Sequence, residues 1–395
     1  MSEREPESTS EPIVELDITA LAAGGDGVAR DGGGRVTFVP LTAPGDRVRA
    51  RLVKETKTFA RGELVAIVTP SAVRVEPPCE AFVMGCGGCQ WLHVARPAQL
   101  EAKHAVVTGA LRKLAGLAIE PIAAPAPPLG WRRRARFHSV GGKLGLYARS
   151  SRDVTPLAHC PQLAARLDAV LALLATMSVP DGEVALLVGH RGEVAVAFQW
   201  DWRPAASLVG RAGIVGVQAG EHGRFGEPVL EIEPGLYGGP WDFAQASAEG
   251  NARLVAIARE ALGKGPGALL ELYAGAGNLT RAFAADGWTV TPSDVAAPAR
   301  PVPGFQIGPV EHVLGNTRHA DAIVLDPPRE GAAAAIAGIL ARAPKMIVYV
   351  SCDPATLARD AEKLVAGGYR ADRAWPLDLM PQTSHVEVVL RLVRA

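Results

Sequence analysis

The chain has 395 residues, 41 basic and 41 acidic, and is 48% hydrophobic and 21% charged. That length suits two or three domains, and the apolar share suits a globular protein with a sizeable core. The balanced charge lends no support to a nucleic-acid partner, so local charge has to be read instead. No apolar run reaches the roughly 18 residues of a membrane span, and the polar first residues carry no apolar leader. A cytoplasmic protein without a membrane partner is therefore expected. Cysteines stand at positions 79, 86, 89, 160 and 352; in a reducing compartment, clustered cysteines are more often metal ligands or catalytic groups than disulfides.

In chain order, residues 1–12 read as a disordered tail. From Ile13 to about Val75, short apolar runs broken by glycine (VELDITAL, VTFVPL, DRVRARLV, GELVAIV) predict a small β-barrel of TRAM or OB-like type. Cys79, Cys86 and Cys89 follow in CEAFVMGCGGC. A helix is predicted from Pro97 to Leu114, with Leu100, His104, Val107, Leu111 and Leu114 on its apolar face. A proline-rich linker, PIAAPAPP, ends it. Strand-like pieces between Trp131 and Trp202, with one helix near residues 164–177, predict an antiparallel α+β domain that holds Cys160. From about Asn251, strands alternate with helices, which predicts a doubly wound α/β sheet with ligands at the C-terminal strand ends. The expected partition is 13–75, 76–240 and 241–395.

Four segments of this last domain could carry chemistry. In ELYAGAGNLT (271–280), a strand runs into Gly275 and Gly277 and then a helix. Glycines admit close approach of a ligand, and a helix N-terminus presents unpaired amides. An ordinary strand-to-helix turn is the competing account. Asp294, after the next strand, could accept ribose hydroxyls or simply be a solvated loop residue. In DPPREG, Asp326 would sit at the sheet edge with two prolines stiffening the loop behind it. In SCDPATLARD, Cys352 closes a strand and Pro354 begins a helix, whose N-terminus would lower the thiol pKa. An inert buried cysteine is the alternative. In PQTSHVEVVLRL, Glu387 lies in an apolar strand, where desolvation would raise its pKa toward that of a useful base.

These parts fit one reaction. C5 of uracil is a poor nucleophile. A thiolate adding at C6 turns the ring into an enolate, C5 then attacks a methyl sulfonium, and a base removes the C5 proton so that the thiol can leave.

ELYAGAGNLT, DPPREG, SCDPATLARD and PQTSHVE, in this order, resemble the RNA (uracil-5-)-methyltransferase family. GGDGVARDGGGRVTFVPLTAPGDRV resembles the TRAM domain of its 23S rRNA members, and the likeness runs from about Ile13 to Leu392. The resemblance implies an S-adenosylmethionine-dependent enzyme with a C-terminal Rossmann-like domain. It implies Cys352 as nucleophile, Glu387 as proton-abstracting base, and Asp326 at the uracil and cofactor. It further implies cofactor contacts at Gln245, Tyr273, Asn278 and Asp294, and a [4Fe-4S] cluster on Cys79, Cys86, Cys89 and Cys160. Four thiolates by themselves suit zinc equally. The segment after Asp294, APARPVPGFQ, departs from the family by lacking a helical pattern. Ala274 and Asp353 stand where other members often carry Cys and Asn.

Between Trp131 and Asp153 there are seven basic residues (Arg132, Arg133, Arg134, Arg136, Lys143, Arg149, Arg152), interleaved with Phe137, His138 and Tyr147. Such a segment can pair phosphates and stack unpaired bases. The TRAM-like region adds Arg47, Arg49, Arg51, Lys54, Lys57 and Arg61. An RNA partner, most naturally 23S rRNA, and a monomeric enzyme are expected; the target uracil must be flipped out or already unpaired. The alternatives are a tRNA substrate, a cytosine-5 RNA enzyme, a non-catalytic RNA-binding assembly factor and an iron–sulfur redox enzyme.

Overall fold

A computed structural model describes residues 12–395; residues 1–11 of the expected tail lie outside the described residues. The chain divides into two compact units. One holds the chain up to Pro78 with Cys89–Ala102 and Gln382–Ser384; the other holds Cys79–Gly88, Lys103–Pro381 and His385–Ala395.

The first unit is built on a six-stranded sheet from the strands between Ile13 and Thr69. Along Arg47–Glu55, Val48, Ala50 and Leu52 point inward while Arg47, Arg49 and Arg51 face solvent, the period-2 alternation of a half-buried strand. Leu16, Ala29, Val39, Val48 and Ala50, drawn from strands across the sheet, meet in one small core, as a curled barrel-like sheet requires. Asp46 is tied down by Arg74 at 2.9 Å and by the amide of Ala43.

In the second unit, a seven-stranded sheet takes its strands from Arg134 to Gly226 and is antiparallel except where Val194–Phe198 runs beside Ile214–Ala219. Helix Ala165–Ala175 buries Leu167, Val170, Leu171 and Leu174 against it, a stripe at helical spacing. An eight-stranded sheet fills the C-terminal part. Its order is Gln306–Ile307, Trp288–Asp294, Gly267–Leu272, Ala322–Leu325, Met346–Ser351, Glu387–Arg394, Tyr369–Leu377 and Ala118–Ile119. The first five strands are parallel; Glu387–Arg394 joins antiparallel through a hairpin. Leu270, Leu272, Ile323, Leu325 and Ile347 belong to one core cluster, and Leu269, Ala322, Val324, Val348 and Val350 to another. Alternate residues thus face opposite layers, which is why these strands read as unbroken apolar runs.

One expectation changes. The helix after the first unit spans Arg96–Leu111, and its buried face carries Gln99, Lys103, Val107 and Leu111 rather than Leu100 and His104. The polar pair is tolerated because each finds partners: Lys103 Nζ donates to Asp378 Oδ1 at 2.5 Å and to the Met380 carbonyl at 3.0 Å. As its lack of a helical pattern predicts, the segment after Asp294 has no helix until Val310–Asn316 and holds only the short strand Gln306–Ile307, consistent with its prolines at 298, 301, 303 and 309. No helix of the described residues is long and apolar enough to cross a membrane.

Candidate active site

The topology brings three of the expected residues to one sheet edge. Asp326 follows Ala322–Leu325, Cys352 follows Met346–Ser351, and Glu387 opens an antiparallel strand in which Val388 pairs with Ser351. The start of the antiparallel strand therefore lies where the parallel strands end.

The loop behind Asp326 is held from below. Asp360 is fully buried and accepts from the Ala332 amide at 2.7 Å and the Tyr349 hydroxyl at 2.9 Å, while Arg359 pairs with it and donates to the Glu330 carbonyl at 2.8 Å. Gly331 closes the turn with φ of +82°, where a Cβ would lie 2.5 Å from Arg359 Nη2 and Asp360 Oδ2. No side chain fits, which explains the glycine of DPPREG.

Electrostatics around Cys352 correct one expectation. Its thiol is pushed up to about 11, by burial first and then by Glu387 and Asp326, with Arg329 acting in the opposite sense. At the neighbouring helix, the N-terminal amides of Ala355 and Thr356 donate to the Asp353 carboxylate at 2.9 Å each, so they are not offered to the thiol. Glu387 is raised well above the ordinary carboxyl range by burial and by Asp326, and burial raises Asp326 to about 7. Two desolvated carboxyls close together each favour a proton on the other.

Beside them lies the glycine loop. Tyr273, Gly275 and Gly277 adopt positive φ, and Gly277 precedes helix Asn278–Ala285. Asp294 accepts the Gly275 amide at 2.8 Å and the Val295 amide at 2.7 Å, so it braces the loop while remaining partly exposed. The space a Cβ would fill at Gly275 is open, as a loop that receives a ligand closely must be. Beneath it, Glu271 is buried, accepts from the Thr280 hydroxyl at 2.6 Å, and is raised to about 8 by desolvation. Asn278 exchanges amide hydrogen bonds with the buried Asn251 at 2.7 and 2.9 Å. Gln245 is held through its backbone carbonyl by Arg133 at 2.8 Å; its side-chain amide has no partner among the described residues. Open glycine backbone, a braced carboxylate and an unengaged amide form a donor set that fits a nucleoside-type cofactor.

The expected RNA face is only partly on the surface. Arg133 is buried, pairs with Glu233 at 2.9 Å and donates to the Gln245 carbonyl, so it braces a loop instead of meeting a phosphate. Trp131 and Phe137 are core residues. Arg149 stacks on Phe82 and donates to the carbonyls of Cys86 and Phe82. Arg132, Arg134 and Arg136 keep surface, as do His138 and Tyr147, which stack at 3.8 Å. Arg136 lies over Trp241 and Arg134 over the exposed Phe243. Sequence reasoning missed these two aromatics, although they directly precede the DFAQAS stretch or lie within it. It also missed Arg329 and His385, which stand inside quoted motifs.

Cys79, Cys86 and Cys160 gather on the core of the seven-stranded sheet, and Cys79 acts electrostatically on both of the others. Burial raises the Cys86 and Cys160 thiols, and the Gly88 amide donates to Cys86 Sγ at 3.5 Å. Cys89 belongs to the first unit. Among the described residues, no group of three or more His, Cys, Asp or Glu is gathered tightly enough for one metal ion.

A doubly wound sheet with a glycine loop at one strand end and a buried cysteine–carboxyl group at its neighbours fits a protein that binds a nucleoside-type cofactor. Comparison with known proteins narrows this. The TRAM domain profile matches residues 12–65, and that of tRNA (Uracil-5-)-methyltransferase matches residues 312–395. An uncharacterized RNA methyltransferase of Gloeobacter violaceus is 35% identical, over 97% of this chain and 96% of its own. The 23S rRNA (uracil(1939)-C(5))-methyltransferase RlmD of Edwardsiella ictaluri is 32% identical, over 95% and 94%. The crystal structure of Pyrococcus abyssi tRNA (uracil-54, C5)-methyltransferase in complex with S-adenosyl-L-homocysteine shares the fold, with a TM-score of 0.73 and 21% identity over 96% and 99% of the two chains. The chain belongs to the RNA (uracil-5-)-methyltransferase family and is an S-adenosylmethionine-dependent RNA methyltransferase.

Proposed function

We propose that this enzyme methylates C5 of one uridine in 23S rRNA through a covalent adduct on Cys352. The reading is carried by the convergence of Cys352, Asp326 and Glu387 at one sheet edge beside the glycine loop. S-adenosylmethionine, when bound, supplies an electrophilic methyl group; Gln245, Tyr273, Asn278 and Asp294 would hold it. Cys352 Sγ, once ionised, bonds to C6, and the C5–C6 electron pair shifts toward the O4 carbonyl. C5 then takes the methyl group. Glu387 removes the remaining C5 proton, the pair re-forms C5=C6, and the Sγ–C6 bond breaks to release the thiolate. A base must be unprotonated to do this, and the raised pKa of Glu387 makes it stronger once ionised. Asp326, also raised, suits a hydrogen bond to the N3–H edge of the ring.

Cys79, Cys86, Cys89 and Cys160 would carry a [4Fe-4S] cluster with a structural role, since methyl transfer requires no redox step. Arg132, Arg134, Arg136 and the TRAM domain would meet RNA, with the domain partition at residues 75 and 240, in a cytoplasmic monomer. The RlmD relatives favour ribosomal over transfer RNA.

Purified protein is incubated with methyl-labelled S-adenosylmethionine and separate pools of unmethylated 23S rRNA and tRNA, and the labelled nucleoside is identified by mass spectrometry. 5-Methyluridine in the rRNA pool, lost in Cys352→Ser, is expected. Label in tRNA alone would replace the substrate, and full activity of Cys352→Ser would overturn the adduct.

A further inference from the structure

The outer two strand ends of the site are tied together across the middle one. Arg329 lies three residues beyond Asp326, and His385 lies two residues before Glu387. Arg329 Nη2 lies against the His385 ring, 3.1 Å from Nε2 and 3.5 Å from Nδ1. The strand between the two loops, Met346–Ser351, is the one that ends in Cys352. The contact therefore bridges the loops that carry both carboxyls and brings one cation to a site where Cys352 otherwise faces Asp326 and Glu387.

We propose that Arg329 is the cation that lets Cys352 ionise at this site, and that His385 is the positioning residue that holds Arg329 there. The proposal rests on Cys352 being the nucleophile. A guanidinium cannot lose its proton in this range and can offer two N–H groups, so it suits a fixed positive charge. Its charge works against the upward push on Cys352 and also on Glu387. His385 is suited to hold it because the ring stays neutral: burial and the charges of Arg329, Lys103 and Arg132, opposed by Asp353, bring it down to about 4. A guanidinium can lie against a neutral aromatic ring; an imidazolium would repel it. The prolines at 327 and 328 stiffen the backbone path between Asp326 and Arg329.

The test is the pH dependence of iodoacetamide alkylation at Cys352, read on the Cys352 peptide by mass spectrometry in the full-length protein without RNA. Arg329→Gln should slow alkylation at pH 8 by roughly tenfold and move the midpoint up by about one pH unit. Arg329→Lys, which keeps the charge, should fall between. His385→Leu should reproduce the Arg329→Gln profile, His385→Phe should restore much of it by keeping a neutral ring for Arg329 to lie against, and Arg329→Gln/His385→Leu should be no slower than Arg329→Gln. An unmoved midpoint in Arg329→Gln, with melting temperature retained, would overturn the proposal. So would a His385→Leu effect that persists in the Arg329→Gln background. Because alkylation needs neither RNA nor cofactor, these outcomes are separate from the methyl-transfer result with Cys352→Ser.

Discussion

Lys103 and Asp378 offer a quantitative test of how the site is braced. Both side chains are fully buried, 2.5 Å apart, and Lys103 also donates to the Met380 carbonyl. Asp378 itself accepts the Met380 amide at 3.2 Å and donates its own amide to the Ala123 carbonyl at 2.7 Å. The pair thus holds the backbone shortly before His385 and Glu387. Lys103→Met keeps most of the volume and leaves a carboxylate in a dry interior. Removing one partner of a buried pair costs about 3–5 kcal/mol, whereas replacing both is far cheaper. For a chain of this size, that predicts a fall in melting temperature of roughly 4–6 °C. Lys103→Met/Asp378→Asn should recover much of the loss, because no charge remains unpaired. Thermal melts of wild type and the variants measure this directly. If the single change costs less than about 1 kcal/mol, or the double change costs as much as the single, the pair is not the brace described here.

Two further outcomes follow from the site. Glu387→Gln should form the adduct and then stall, so an RNA–protein complex that survives denaturing electrophoresis should accumulate while turnover falls by roughly a hundredfold or more; normal turnover would remove Glu387 as the base. In the same variant the charge that pushes Cys352 up is gone, so alkylation of the thiol should quicken, most clearly at high pH where Glu387 would be ionised. Gly331→Ala forces a Cβ into a position 2.5 Å from Arg359 and Asp360 at a φ of +82°. It should cost about 1–3 kcal/mol and depress turnover through Asp326, and wild-type melting and turnover together would refute the packing argument.

Much of the element pattern, and the segments expected to carry the chemistry, could be read from the sequence. Apolar runs such as AIVL and MIVYVS have to be buried on both faces, so they predict a doubly wound sheet before any fold is known. The DPPREG, SCDP and SHVE segments are local patterns, and they singled out Asp326, Cys352 and Glu387. The unhelical stretch after Asp294 was legible too, since three prolines in ten residues cannot continue a helix. Long-range placement was decided only by the tertiary structure. Arginines in a row look alike, yet strand alternation sends Arg133 inward to Glu233 and leaves Arg132, Arg134 and Arg136 with surface. A helix N-terminus beside Cys352 predicts an acidic thiol, but Asp353 takes its amides, and buried carboxyls from two other strands push the thiol up instead. The contact between Arg329 and His385 joins residues 56 positions apart. Burial and charge depend on which segments meet, and a one-dimensional pattern carries no record of that meeting.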